Sequence, residues 1–534
     1  MSDVGVSPWR ALLAKAKALQ SLGRSGEAID ALRAAVDVIE DQRGAMPADA
    51  VAAARFFEDK VEPYHQLIDM LLARGRNREA FRYAEAMRAQ SLQDVLTRGS
   101  IDRQSSLTAA EKEEERTLTQ RLAELNKAAL THSGDTKLAN LHAQIAVTRT
   151  KLEQFEARVE IARPAARRPR SPEILRLPGQ LGDGVVVEFV VGQRHTIAFA
   201  IVHGGRGDLD VMARVVPVAK GDLEKRVDEL EREITRRDAR WTRSAASLYD
   251  LLLAPFDAAL GARRLVCIIP DDVLWRVPFH LLRRRGDSLV ERAAIFYAPS
   301  LSTLQIKPQR SEPHRGELIA FGNPALLRQT HDRLRAMTRA ATLGDLPDAE
   351  SEVRTIASMF GERRSSVYVR GAARESTFKR EAPRYRILHL AAHGILDDHS
   401  PMYSAIVLAA APEEPDDGLL EAREILGLHL DSDLAVLAAC DTARGHIGAG
   451  EGVIGVSWAF LVAGCPTTVV SQWQADSKAT ESLMIEFYRR LRAGESPALA
   501  LRHAQLTLRA DPRYHDPLYW APFIVVGAGM RSVL

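Results

Sequence analysis

The sequence predicts a helical N-terminal region followed by an α/β C-terminal region with a mostly parallel central sheet. Two observations carry this. Up to about residue 165, apolar side chains recur at spacings of three and four, as in Ala11, Leu12, Ala16, Leu19 and Leu22, the period of a helix with one buried face. After residue 180 the pattern changes to short, wholly apolar runs that alternate with helical segments, as strands covered on both faces do.

Composition sets the limits. At 534 residues the chain is too long for one hydrophobic core and suggests roughly three units of about 100–200 residues. Hydrophobic residues make up 46% and charged residues 27%, so wholesale disorder is excluded. With 72 basic against 70 acidic residues, no chain-wide field attracts a polyanion. Three cysteines, Cys267, Cys440 and Cys465, are too few for a disulfide scaffold and suit a reducing cytoplasm. The first residues lack the charged-then-apolar signature of a signal peptide, and no apolar run reaches the ~18 residues of a membrane helix. A cytoplasmic location without a membrane partner is the expectation.

In the helical region, residues 1–165, one phrase occurs twice: Gly23-Arg24-Ser25-Gly26-Glu27-Ala28 and Gly75-Arg76-Asn77-Arg78-Glu79-Ala80. The glycine ends one helix and Glu-Ala opens the next, so each phrase reads as the turn of a helical hairpin. The copies are farther apart than a regular tetratricopeptide repeat, which calls for extended or interrupted helices. Ala31, Leu32 and Ala35, and Tyr83, Ala84 and Met87, fall where the packing face belongs. Glu111 to Glu160 then reads as a hairpin of long charged helices, with Leu118, Leu122, Leu125 and Leu130 in its seam. Prolines at 164, 169 and 172 break the helix, and residues 166–180 read as a basic linker. No aromatic residue is interleaved there to stack a base, so direct nucleic-acid binding is not expected.

Residues 181–245 read as a β-hairpin and a helix leading into a domain at 246–534. Val185–Val191 and Thr196–Val202 flank a turn at Gly192–His195, and helix is expected from Leu223 to Leu260. Apolar runs at Leu265–Ile269, Leu318–Phe321, Arg386–Leu390, Leu434–Leu437 and Thr467–Val470 alternate with helices to the end. In such a sheet, functional residues collect at the carboxyl ends of strands.

Two strand ends carry chemistry. Ile387-Leu-His-Leu-Ala-Ala-His393-Gly394 delivers a histidine and a glycine, and Leu434-Ala-Val-Leu-Ala-Ala-Cys440-Asp441 delivers a cysteine. A thiol and an imidazole at one level of a sheet are what nucleophilic cysteine catalysis needs. Gly394 lets a substrate approach the backbone, and its N–H can donate to an oxyanion. The alternative is that Cys440 is a small buried hydrophobe. Cys267, in mid-strand, and Cys465, before a strand, read as structural. His389 shares a strand face with His393 and could be mistaken for it. A metal site is not expected: CxxC and HExxH are absent, and on a strand His389 and His393 stand roughly 13 Å apart.

At these residues the sequence resembles a CHAT domain, the caspase-like domain found with tetratricopeptide repeats. The resemblance spans roughly residues 245–530. It includes Leu248–Pro255, Arg264–Phe279, Tyr297–Ser300, Leu346–Val353, both Ala-Ala phrases, Gly450–Val453, Val470–Trp473 and Pro517–Phe523. It implies an α/β caspase-like fold and a cysteine endopeptidase with Cys440 as nucleophile and His393 as its partner, without a required third residue. The N–H groups of Gly394 and Cys440 would hold the oxyanion, and no cofactor is implied. Related peptidases often pair a basic P1 side chain with acidic residues after the strand ending in a Ser-x-Trp-like phrase. Here that points to Asp476, with Asp441 and Trp473 as further substrate contacts. Many CHAT sequences have two acids in succession at this point, where this chain has Asp476 and then Ser477. Asp476 also suits a helix N-cap before Ala479, and Trp473 also suits the core.

The expected function is cleavage of a specific protein partner, latent until activated, in a setting of bacterial defence or regulated cell death. The glycine-rich loop from Asp441 to Gly450 suits movement between the two states. Helical repeats present concave surfaces for a substrate, activator or inhibitor. Two other functions fit the same residues: a catalytically silent scaffold that binds partners through its repeats, and an acyl hydrolase or transferase using the same dyad.

Overall fold

The computed structural model describes residues 7–44, 60–98, 107–131, 135–162, 177–204, 208–261, 263–305, 314–326, 344–397, 400–411, 413–438, 446–448 and 452–534. Most of the proline-rich linker lies outside the described residues.

Helices α1 (Pro8–Ser21) and α2 (Ser25–Gly44) turn at Gly23, and α3 (Glu62–Leu72) and α4 (Asn77–Arg98) turn at Gly75. These glycines have φ of +73° and +70°, a left-handed conformation that a side chain would strain. That requirement explains why the same phrase recurs at both turns. Ala31, Leu32, Ala35, Ala84 and Met87 are buried on the packing stripe, and Tyr83 is half-buried beside them. The long charged stretch forms a third hairpin, α5 (Ala109–Thr131) against α6 (Asp135–Ala162), with Leu122, Leu125, Leu152 and Phe155 in its seam.

Strands β1 (Val185–Val191) and β2 (Thr196–His203) form the expected antiparallel hairpin, and β3 (Leu209–Val216) extends it. The helix expected over 223–260 is divided into α7 (Lys220–Thr235) and α8 (Trp241–Leu252). Between them Arg237 has φ +56°, and Asp238 Oδ1 accepts the Arg240 N–H at 3.0 Å, a local bond that competes with helical pairing.

Besides a two-residue pair at Arg283–Arg284 and Asp287–Ser288, the remaining described strands are β4 (Leu265–Ile269), β5 (Ala294–Tyr297), β6 (Gly316–Pro324), β7 (Ser365–Arg370), β8 (Tyr385–Ala391), β9 (His393–Ile395), β10 (Ala405–Val407), β11 (Leu419–Glu421), β12 (Leu434–Leu437), β13 (His446–Gly448), β14 (Gly452–Ile454), β15 (Thr467–Ser471) and β16 (Phe523–Gly527). Eleven share one sheet, in the order β3-β2-β1-β4-β5-β16-β15-β12-β8-β6-β7. Seven of its ten neighbouring pairs are parallel, so the sheet is mostly parallel, as the apolar runs predict. β16 is antiparallel to β15. Strands β15, β12, β8, β6 and β7 therefore run one way, and β16, β5, β4 and β1 the other.

Two joints fasten helices to this sheet. At the first, Arg88 of α4 donates from Nη1 to the Pro270 carbonyl (2.7 Å) and lies 3.6 Å from Glu188 and 3.5 Å from Asp271. Arg88 is 4% exposed and Glu188 is fully covered in the middle of β1. Burial, then the nearby Glu85, pushes the Glu188 carboxyl well above its usual range, and Arg88 pulls it back down. Glu85 accepts the Leu301 N–H at 2.8 Å, and Phe81 packs on Phe199 with ring centres 5.6 Å apart.

At the second joint, the long hairpin meets the small sheet β9-β10-β11. Asn126 donates to Asp417 (2.8 Å), and Arg149 pairs with Asp397 (3.2 Å) and lies over the Tyr403 ring at 4.0 Å. Tyr403 is buried in the same apolar cluster as Leu122, Leu125 and Phe155. No described helix is long and apolar enough to cross a membrane.

Removing one partner of a buried charge group leaves the others uncompensated, at a cost of about 3–5 kcal/mol. Arg88→Ala is expected to lower unfolding stability by that order in urea titrations followed by tryptophan fluorescence. Adding Glu188→Gln, which removes the orphaned carboxyl, should recover part of the loss. A single variant as stable as the parent would show that the Arg88 joint holds nothing.

Candidate functional site

The parallel set β7, β6, β8, β12 and β15 sends its carboxyl ends to one rim of the sheet. β8 pairs with β12 in a register that puts Leu390 opposite Leu437. His393 follows Leu390 by three residues, and Cys440 follows Leu437 by three in the sequence. Cys440 and Asp441 lie outside the described residues.

After Ala391 the chain leaves the main sheet, and His393 opens β9, opposite Val407 of β10, with Gly394 opposite Ile406. His393 is half-buried, and its Nε2 lies 3.0 Å from the Gly344 carbonyl. A carbonyl only accepts, so Nε2 carries the proton. In the neutral ring the basic lone pair is then on Nδ1. The contact makes Nδ1 the atom able to take a proton from a thiol and return it to a leaving amine.

The neighbouring histidine has a different role. His389 is fully buried, with Nε2 2.9 Å from a Glu352 carboxylate oxygen and Nδ1 3.1 Å from the Tyr488 hydroxyl. Glu352 belongs to α9 (Pro347–Phe360) and Tyr488 to α10 (Ser477–Arg492), so His389 ties two covering helices to β8. Cys267 and Cys465 are also fully buried, and burial pushes both thiols up, away from the thiolate that reactivity requires.

The residues after β15 are anchored one by one. Gln472 donates from Nε2 to the Trp275 carbonyl (3.0 Å), and its backbone N–H donates to the Pro522 carbonyl (2.8 Å). Trp473 is 5% exposed and donates from Nε1 to the Leu518 carbonyl at 3.3 Å, so its indole fills the core. Asp476 is the N-cap of α10, accepting the Ala479 N–H at 2.9 Å, and it is exposed beside an exposed Lys478.

Further groups connect to His393 through hydrogen bonds. The Gly344 carbonyl is one, and as a backbone atom it leaves no trace in residue identity. Asn323 and Glu350 are others. Asn323 accepts the Leu346 N–H and donates to Glu350; it belongs to the phrase Phe321-Gly-Asn-Pro324, and Glu350 to the Leu346–Val353 stretch that carries the resemblance. A glycine–asparagine–proline sequence ending an apolar run was the available signal.

A model of the CHAT domain matches residues 242–528, more than half of the chain. The chain belongs to the CHAT-domain family. Among curated relatives, Tetratricopeptide repeat protein 28 of Homo sapiens and of Mus musculus are each 24% identical to this CHAT-domain protein over 338 residues, 53% of its length. It spans about 13% of the length of either relative. Among solved structures, the Saccharomyces cerevisiae separase–securin complex is similar over 97% of this chain and 47% of that chain, at 10% identity and a TM-score of 0.44. The Arg-specific cysteine proteinase gingipain R is similar over 59% of this chain and 75% of that chain, at 9% identity and a TM-score of 0.34.

In this CHAT-domain protein the sheet that carries His393 rests on buried carboxyls. Burial raises Asp417 to about 6 and Glu421 to about 7, against roughly 3.9 and 4.3 in an unfolded chain. Between those values the folded form keeps protons that the unfolded chain has released, so their contribution to stability is full below about pH 4 and lost as pH rises through about 6 to 7. Asp417→Asn removes one such group while its amide can still bond Asn126. Urea titrations at pH 5 and pH 8 should show the variant gaining on the parent with rising pH, by about 1.4 kcal/mol from the Asp417 shift. A difference that does not change with pH would refute the assignment.

Proposed function

We propose that this CHAT-domain protein is a cysteine endopeptidase of the caspase-like group, with Cys440 as nucleophile and His393 as its acid–base partner. The observation that carries the reading is the pairing of β8 with β12, whose register puts Leu390 opposite Leu437, each three residues before His393 and Cys440 in the sequence. The Gly344 carbonyl adds to it by directing the basic lone pair of His393 to Nδ1.

The steps follow. The Cys440 thiol passes its proton to His393 Nδ1, and the thiolate attacks the scissile carbonyl carbon, sending the π electrons to oxygen. The N–H groups of Gly394 and Cys440 hold that oxyanion; losing one such donor typically costs about 2.7–4 kcal/mol of barrier stabilisation. When the intermediate collapses, His393 returns the proton to the leaving amine and a thioester remains. Water, deprotonated by His393, attacks the thioester, releases the new carboxyl terminus and restores the thiol.

The substrate is a protein cleaved after a basic P1 residue that pairs with Asp476, with Asp441 as a secondary contact; the expected contact from Trp473 is dropped, because its indole is buried in the core. The cap on α10 fixes the Asp476 backbone but uses only one of its carboxylate oxygens. The peptidase works in the cytoplasm, in bacterial defence or regulated cell death, and stays latent until a protein activator reaches the helical region at 1–165. Support for that coupling comes from the Arg149, Asn126 and Tyr403 contacts, which join the long hairpin to the three strands that include β9.

Sequencing newly created protein N-termini in a bacterial lysate tests this. Parent protein should create termini after arginine or lysine, and Cys440→Ala should create none while keeping the parent's unfolding profile. Proteolysis retained in Cys440→Ala would sink the assignment. Asp476→Ser keeps an N-cap oxygen, whereas Asp476→Ala loses about 1 kcal/mol of helix stability. If Asp476 binds P1, both variants lose the preference for basic residues; if it is only a cap, neither does.

A further inference from the structure

Asn323 lies near the carboxyl end of β6, in a left-handed backbone conformation with φ +47°, which asparagine tolerates better than most side chains. It is 4% exposed, and both ends of its amide are engaged. Oδ1 accepts the Leu346 N–H at 2.7 Å, and Nδ2 donates to Glu350 Oε2 at 3.2 Å. Only one amide orientation satisfies a backbone donor on one side and a carboxylate on the other.

Glu350 is itself held by Arg370 at the end of β7 (2.8 Å) and by Arg354 one turn along α9 (3.0 Å). Burial acts to raise the Glu350 carboxyl, but the hydrogen bonds from Arg354, Arg370 and Asn323 outweigh it and keep the group below its usual range. It is therefore a charged, fixed acceptor. At Gly322 an added Cβ would stand 2.8 Å from the Ala349 carbonyl, so α9 lies directly on the strand end that carries Asn323.

Residues 344–346 precede α9 without belonging to a strand or helix. The Leu346 N–H is bonded to Asn323, and two residues earlier the Gly344 carbonyl receives His393 Nε2. We propose that Asn323 is a positioning residue for His393: it holds the Leu346 N–H, and through it the Gly344 carbonyl that orients the imidazole. This rests on the reading of His393 and Cys440 as a dyad.

The carbonyl contact favours the protonated ring, so its loss should make the Cys440 thiolate harder to form at neutral pH. The test is the rate at which iodoacetamide alkylates Cys440 in the full chain from pH 5 to pH 10, resolved by peptide mass spectrometry. Asn323→Gly keeps the left-handed backbone and removes the amide. It should slow alkylation at pH 7 by about tenfold, the effect of one pKa unit, and leave the limiting rate at high pH unchanged. Cys267 and Cys465 should stay unmodified, because only unfolding exposes them.

Asn323→Asp combined with Glu350→Gln exchanges donor and acceptor and should restore most of the rate. The inference is overturned if the Asn323→Gly profile matches the parent while His393→Ala shifts it, if the double variant is as slow as Asn323→Gly, or if Cys267 and Cys465 become modified. A profile that His393→Ala does not shift would instead remove the dyad on which the inference rests.

Discussion

The pairing of β8 with β6 on one side and β12 on the other holds the site together. All three strands are covered on both faces, so alternation of polar and apolar residues does not set their register. A specific polar contact does so instead. His389 sits opposite Ala320 and Val436 and reaches Glu352 and Tyr488 in the core. A slip of one residue would turn that imidazole to the other face and leave a buried carboxylate without its partner. The buried His389 thereby adds a constraint on the register of the strand that precedes His393.

Much of this was legible in the sequence. The two Gly-Arg turns, the long hairpin, the antiparallel opening of the sheet and its mostly parallel continuation all follow from period and turn chemistry. The strands that escaped notice did so for physical reasons. β5 is four residues long, and β7 is an edge strand with two serines and a terminal arginine among its six residues. The antiparallel β16 returns from the far end of the chain, and a strand's direction leaves no mark on its composition. The strands leading to His393 and Cys440 were readable as short apolar runs, and the structure pairs them side by side. The Gly344 carbonyl was not readable, because any residue can supply one.

Glu188 illustrates a further limit. An acidic residue in the middle of the apolar run Val185–Val191 looks like a solvent-facing position, yet it is completely covered. Its counter-charge is Arg88, about a hundred residues earlier in the chain, and Asp271 shares the same guanidinium. Long-range charge pairing of this kind is invisible to any local window. Such groups contribute little net stability, but they are intolerant of losing a member, so they specify which surfaces meet.

The two joints lie toward opposite ends of the strands. Pro270 and Asp271 follow β4, which runs against β8, whereas Asp397 follows β9, beyond the end of β8. The helical segments therefore grip the sheet from both sides, through buried contacts that do not depend on the peptide connecting them. A protease that cut the proline-rich segment between the two regions would produce a nicked particle of two chains, bound like subunits of a heterodimer, rather than two separate fragments. Scission there would lift the tether while leaving the grip, so it would loosen the region's reach without discarding it.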